Sequence, residues 1–198
     1  VNSIFPHVLK TCVKDNVKIF QIATDCVYDG KKGHYNEHDS HNAGDIYGKS
    51  KSLGEVQSEN FFNIRCSIIG KEIKGFKSLL SWFLKQKKNS KIYGFKNHLW
   101  NGITTRHFGK VISILILKEI KIPNNFHLIP SNIVNKFQML KIFQKKFNRP
   151  DLTIKEINAN NIVNRTIKSN YMNINKTINR SLGLSKAATI KQMINEII

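Results

Sequence analysis

The chain has 198 residues, 40% hydrophobic and 10% aromatic, which suits a soluble globular protein with one full core, or a core plus a small second lobe, and excludes a disordered polypeptide. Its formal charge is +19, but 27 of the 32 basic residues are Lys and five are Arg; nucleic-acid recognition leans on Arg forks, so the evenly spread Lys reads as solvated surface that favours an anionic ligand such as a nucleotide diphosphate. The longest apolar run, near Val111–Leu117, is far too short to cross a bilayer, and the first residues lack the basic-then-apolar pattern of a secretory signal.

In chain order, Ile4, Phe5, Val8, Leu9 and Cys12 recur at helical spacing and predict a helix within residues 2–15. Lys18–Thr24 is a short apolar run expected to be a buried strand. A loop with Asp29-Gly30 and Lys32-Gly33 turns runs to about Asp45, followed by a helix from Ile46 to about Ser58. Phe61–Ile69 reads as a second buried strand ended by Gly70, and Leu79–Gln86 as a helix apolar around most of its face. A strand at Ile92–Phe95, a helix at Thr105–Glu119, a strand at Asn125–Ile129 and an amphipathic helix at Val134–Phe147 follow, the last offering Phe137, Leu140, Ile142 and Phe143 to the core. Beyond Pro150 come a short strand (Leu152–Ile157), an Asn-rich stretch and a final helix from about Thr189. Strands alternating with helices predict an α/β fold with a largely parallel sheet.

Chemistry concentrates in two places. Tyr47-Gly-Lys-Ser-Lys51 puts a tyrosine and a lysine on one face of a helix start. Thr24-Asp25 sits just past the end of a buried strand, where open α/β sheets bind ligands. A phenol with a pKa of about 10 is a poor acid–base at neutral pH, and a neighbouring ammonium is expected to bring it toward the working range; Thr24 offers a neutral hydroxyl to hold a carbonyl oxygen. The Tyr–Lys pair alone does not distinguish an active site from a helix surface. The strand, Thr-Asp, loop and Tyr–Lys helix taken together do.

Three ordered blocks then carry a resemblance: Ala23-Thr24-Asp25-Cys26-Val27-Tyr28-Asp29-Gly30, Tyr47-Gly48-Lys49-Ser50-Lys51-Ser52-Leu53-Gly54-Glu55 and Ile64-Arg65-Cys66-Ser67-Ile68-Ile69-Gly70. They resemble the extended short-chain dehydrogenases and, within these, the dTDP-4-dehydrorhamnose reductase family. Leu79–Phe83, Trp100–Thr105, Asn135–Leu140 and Asn164–Ile167 continue the match in order. The resemblance implies NADPH- or NADH-dependent reduction of a 4-keto group on a nucleotide-activated deoxysugar, supplying precursors of cell-surface polysaccharide. It implies Tyr47 as proton donor, Lys51 as the group that lowers its pKa and binds the nicotinamide ribose, Thr24 bonded to the reacting oxygen, and Asp25 holding the sugar. Asn2 matches an asparagine near the cofactor; a plain helix N-cap is the equal alternative. Related 4,6-dehydratases carry Glu after Thr-Asp, an additional acid–base group for expelling water. Here that position is Cys26, so reduction is favoured, with an epimerase of the same superfamily or a non-catalytic regulatory subunit as alternatives; the latter would be expected to lose Tyr47 or Lys51.

Two departures qualify the resemblance. The family opens with a strand and GxxGxxG that hold the cofactor's pyrophosphate; no such motif occurs here, and the expected gap is on the order of 80 residues, two or three βα units. The implied fold is therefore an incomplete Rossmann-like parallel sheet with helices on both faces (residues 1–69 and 104–149) plus a small α/β substrate-binding lobe (70–103 and 150–198), inactive alone. Second, Ile68 stands where some relatives carry a substrate-contacting tryptophan, leaving the sugar open. Ile68 is taken as a substrate-side residue; Trp82 and Trp100 read as core and lobe packing, with Trp100, beside Asn101-Gly102, also a candidate to line the substrate pocket.

The three cysteines form no CxxC pair, which suits a reducing, cytoplasmic setting; each reads as a small buried hydrophobe, Cys26 included. His34, His38 and His41 share a loop but lack the spacing of a closed metal site, so none is assigned; Glu37 and Asp39 between them read as solvated acids. A nucleotide-sugar partner is expected, nucleic acid and membrane are not, and a homo-oligomer is left open.

Overall fold

The computed structural model describes residues 1–197. Helix α1 (Ile4–Cys12) leads into β1 (Ile19–Thr24), a 3₁₀ turn (Asp25–Val27), α2 (Ile46–Leu53), β2 (Phe61–Cys66), β3 (Ile68–Ile69) and α3 (Leu79–Leu84). Then follow β4 (Lys91–Phe95), β5 (His98–Trp100), β6 (Ile103–Thr104), α4 (Thr105–Leu117), β7 (Asn125–His127), β8 (Val134–Asn135) and α5 (Lys136–Lys146). The chain closes through β9 (Thr153–Ile157), β10 (Val163–Asn164), α6 (Met172–Ser181) and α7 (Ile190–Asn195).

The central sheet runs β1-β2-β7, all parallel, with Ile22 opposite Ile64 and Thr24 opposite Cys66. Parallel pairs β3-β6 and β4-β9, and a small sheet β10-β5-β8 whose β5-β8 pairing is antiparallel, flank it. The expected α/β class and largely parallel pairing hold. Both faces of the central strand β2 are covered, and five of its six residues are buried, Asn63 and Arg65 among them. One core joins Ile64, Leu80, Phe83, Val111, Phe126, Met139, Phe143 and Ile194, so residues assigned to both the dinucleotide half and the substrate lobe share it.

Boundaries shift where a side chain finds a better partner than the element offers. Helix α2 stops at Leu53 rather than Ser58, because Gly54 ends it and Glu55 turns inward to Arg65. The strand expected over Phe61–Ile69 breaks at Ser67, whose carbonyl accepts from the Ile103 amide at 2.8 Å; β3 thereby leaves the central sheet for β6. Asn135 is the last residue of β8 and caps α5 through a capping box with Gln138, so that helix starts later than expected. The Asn-rich stretch contains β10 and α6, both unforeseen: α6 buries Asn175 and Asn179 beside Ile178, polar residues that hide its inward face from a hydrophobicity reading.

At the other side, β1 pairs only with β2 among the described residues. Ile22 on this edge strand is exposed, as are Ile4, Phe5 and Val8 on α1. Cys12 is exposed as well, contrary to its expected burial.

Candidate active site

The carboxyl ends of β1 and β2 open into a cleft of about 220 Å³ lined by Thr24, Asp25, Cys26, Tyr47, Lys51 and Ser67, with Ile68 and Cys66 beside them. Two elements build it. At the end of β1, the Thr24 hydroxyl accepts from the Cys26 amide at 3.2 Å and starts the 3₁₀ turn. Asp45 caps α2, its carboxylate accepting from the Gly48 amide at 2.7 Å, and so sets the direction in which Tyr47 and Lys51 leave the helix. Gly48, between them, is required by contact: a Cβ there would collide with the Cys26 carbonyl and the Ala43 methyl, so only glycine lets α2 sit this close to the turn.

Asp25 is buried, and burial pushes its carboxyl above the usual range; Arg165, the Thr24 and Ser67 hydroxyls and Lys136 pull it partly back. Thr24 lies 3.3 Å from Asp25 Oδ1 and can donate to it. Tyr47 is 51% exposed. Burial of the rest of its ring raises the phenol above its ordinary value, with Cys26 and Asp25 adding to this and the Thr24 hydroxyl opposing it. Lys51, expected to lower the Tyr47 phenol, is not among the groups that set this direction. The ammonium instead donates to the Ile22 carbonyl of edge strand β1 at 2.8 Å, and burial lowers its own pKa against the pull of Glu55. Cys26 is raised by burial and by Asp25, and its sulfur is 3.8 Å from Asp25 Oδ1, so it is a neutral thiol lining the cleft rather than an acid–base.

Ile68 lies at the rim, 39% exposed. Trp100 does not line the cleft. It is buried in the main core, and its indole N–H donates to the Ser67 hydroxyl at 2.7 Å, so it supports the cleft wall from behind. Trp82, expected to pack, is partly exposed on α3. Asn2 is outside the cleft and does not cap α1, whose N-cap is Ser3 with no side-chain bond; its amide donates to Ser50 Oγ at 3.4 Å, on α2 next to Lys51.

Behind the cleft is a buried polar cluster that sequence reasoning did not find. Arg65 donates to both Glu55 oxygens, at 2.9, 3.1 and 2.6 Å, and to the Tyr28 hydroxyl at 3.2 Å. His127, fully buried, donates from Nδ1 to the Lys168 carbonyl at 2.8 Å, which leaves Nε2 as an acceptor facing Arg65 and Tyr28. Glu37 is no solvated loop acid: it is 6% exposed and accepts from Ser169 Oγ (2.6 Å), the Asn170 amide (2.8 Å) and the His127 amide (3.1 Å). Asp39 is half-buried and paired with Lys32 at 2.6 Å. His41, from the same loop, bonds Ser52 Oγ at 2.7 Å. Among the described residues no three His, Cys, Asp or Glu groups converge as metal ligands would, and none of the described helices is long and apolar enough to cross a membrane. The one signal that could have exposed the cluster was an Arg and a Glu inside otherwise apolar, buried-looking segments, since buried charges must be paired.

Solved structures share this fold. The dTDP-4-dehydrorhamnose reductase of Bacillus anthracis in complex with NADP matches with a TM-score of 0.75 at 16% identity, over 98% of this chain and 70% of that one. The reductase of Clostridium acetobutylicum matches at 0.74 and 17%, over 99% and 70%. A dTDP-glucose 4,6-dehydratase of Bacillus anthracis in complex with NAD also matches, at 0.67 and 16%, over 98% and 65%, so the fold is common to both reactions. No curated protein matches the chain. The family model of the RmlD substrate binding domain matches residues 1–198, and the chain belongs to that family.

Proposed function

We propose that the chain is the substrate-side part of an NAD(P)H-dependent reductase acting on the 4-keto group of a nucleotide-activated deoxysugar, working in the cytoplasm. The observation that carries this reading is the convergence of Thr24, Asp25, Tyr47 and Lys51, from two separate elements, on one cleft at the carboxyl end of the sheet. The raised Tyr47 phenol suits the direction of reaction: it is protonated at neutral pH and can deliver its proton to the oxygen of a ketone being reduced. Thr24 stands beside it with a hydroxyl whose 3.3 Å bond to Asp25 is long enough to exchange for the reacting oxygen. Asp25, buried at the end of β1, has a carboxyl that can accept from a sugar hydroxyl.

The residues present fit a nicotinamide nucleotide. Lys51 has three donors and spends one on the Ile22 carbonyl, leaving two for ribose hydroxyls; Asn2, on the Ser50 side of α2, is near enough to assist. A bound reduced nicotinamide would supply the hydride. The unpaired edge of β1, with Ile22 and the exposed apolar residues of α1, supports a further reading: turnover needs additional strands along that edge carrying the phosphate-binding turn. Residues 70–103 and 150–198 are assigned to the substrate lobe.

Dehydration is disfavoured by chemistry, since Asp25 is the one carboxyl lining the cleft and Cys26 stays a neutral thiol. The test supplies the full protein with NADPH and a dTDP-4-keto-6-deoxysugar. Cofactor oxidation with formation of a 4-hydroxy sugar supports the reading. An epimerised 4-keto sugar with no cofactor consumed would transfer it to the epimerases. Tight NADPH binding by residues 1–198 alone, measured by calorimetry, would overturn the need for added strands.

A further inference from the structure

Ser67 lines the cleft but is not among the four groups assigned to the reaction. It sits between β2 and β3, where the chain leaves the central sheet, and two contacts fix it there. Its carbonyl accepts from the Ile103 amide at 2.8 Å, and its hydroxyl oxygen accepts from the Trp100 indole N–H at 2.7 Å. The packing around these contacts is close. A Cβ on Gly102 would collide with the Ser67 carbonyl and the Trp100 ring, so only glycine lets the indole lie this near to Ser67. Trp100 belongs to the main core, which holds the bond from behind the cleft.

The direction of the Trp100 bond decides what Ser67 can do. An indole N–H can only donate, whereas a serine hydroxyl has one proton to give and two acceptor positions. With Trp100 taking an acceptor position on the core side, the Ser67 proton is left for the cleft side, where Asp25 stands. Burial raises the Asp25 carboxyl, and after Arg165 the Thr24 and Ser67 hydroxyls are the groups that draw it down. The Thr24 hydroxyl reaches Asp25 Oδ1 at 3.3 Å and is the one expected to turn to the reacting oxygen. The Cys26 sulfur, at 3.8 Å, is a weak donor. Once Thr24 turns, Ser67 is the hydroxyl that remains for Asp25.

We propose that Ser67 is a positioning residue for Asp25: aimed by the Trp100 indole, its hydroxyl holds the Asp25 carboxyl toward the sugar while Thr24 is engaged with the reacting oxygen. The proposal rests on the reductase reading and deepens it, since it assigns the part of the cleft that grips the sugar rather than the part that moves the proton. A hydroxyl given to a carboxylate favours its ionised form, the stronger acceptor for a sugar hydroxyl. The core thus reaches the substrate through two groups, an indole that never enters the cleft and a serine at its wall.

Two measurements on the full protein test this. The Asp carboxyl carbons are titrated by NMR, the Asp25 signal being the one missing in Asp25→Asn, and turnover is followed with NADPH and a dTDP-4-keto-6-deoxysugar across pH. Ser67→Ala trims a single hydroxyl, and the Asp25 carboxyl should then titrate about one pH unit higher, because a donor to its ionised form is gone. The acid limb of kcat/KM should move up with it, and KM should rise about tenfold with kcat changed less. Trp100→Phe keeps a ring in the core, removes the N–H, and should move Asp25 in the same direction by a smaller amount. A parent without turnover sinks the reductase reading, while the carboxyl titration still decides Ser67. An Asp25 titration unchanged in Ser67→Ala overturns the proposal. So does a loss of kcat with KM and the acid limb unmoved, which would place Ser67 on the reacting groups instead.

Discussion

At the carboxyl end of β1, Thr24, Asp25, Tyr47 and Lys51 line an open cleft, whereas one strand along, behind β2 and β7, Glu37, Glu55, Arg65 and His127 are sealed in the interior. The two groups use similar residue types in opposite ways. In the sealed cluster Arg65 spends its donors on Glu55, Tyr28 and the Glu37 carbonyl, and Glu37 accepts three hydrogen bonds. In the cleft Lys51 has one partner and Tyr47 remains half-exposed. Saturated polar groups hold a structure; groups with bonds to spare can exchange them with a substrate. The clusters are joined through Glu55, which follows directly on α2 and anchors the helix that presents Tyr47.

The contrast is open to direct attack. Tyr47→Phe should lower kcat/KM of the full enzyme by about 10²–10⁴-fold while leaving the melting temperature unchanged, because half of the ring is already exposed; retained turnover would remove Tyr47 from the reaction. Arg65→Met should do the reverse and act on stability, costing about 3–5 kcal/mol in denaturant unfolding, since it leaves the Glu55 charge buried and unpaired. A variant as stable as the parent would mean the sealed cluster is not structural.

A pH titration reads the sealed cluster through His127. Burial pushes His127 down to about 4 from an ordinary 6.5. The unfolded chain therefore takes up a proton as the pH falls through 6.5 while the folded one does not, so this contribution to stability is present in full above 6.5 and lost progressively toward pH 4. Its size is roughly 3 kcal/mol, and His127→Gln should flatten the slope of unfolding free energy across that window. The smallest effect is expected at Cys26→Ser, which exchanges a neutral thiol with one long contact to Asp25 for a hydroxyl; stability should move by less than about 1 kcal/mol and the product should be unchanged. A dehydrated product from the parent enzyme, lost in this variant, would show that the thiol takes part in chemistry.

The cleft was legible in the sequence to the extent that its residues sit at element ends with strong local signals. Thr24-Asp25 closes an apolar run, and Tyr47 and Lys51 are spaced to share a helix face. What their chemistry would be was less legible. The Tyr47 phenol is raised first by burial against the turn after β1, and the Lys51 ammonium reaches the Ile22 carbonyl on another element. Trp100 was left between packing and the pocket for a related reason: only the turn from β5 to β6 decides that the indole points into the core toward Ser67. Helix α6 was hidden because its buried positions are taken by Asn175 and Asn179 as well as Ile178, and periodicity reads only apolar groups.

The sequence by itself determined the alternation of strands and helices, the parallel pairing, the family and the residues at the mouth of the cleft, all of which follow from local patterns and short motifs. Only the tertiary structure decided where the charges go. That Glu37, Glu55, Arg65 and His127 meet in one sealed cluster and that burial raises the Tyr47 phenol both depend on contacts between residues far apart in the chain. The physical reason is desolvation. Whether a polar group is costly, neutral or reactive is set by the partners that remain after water is removed.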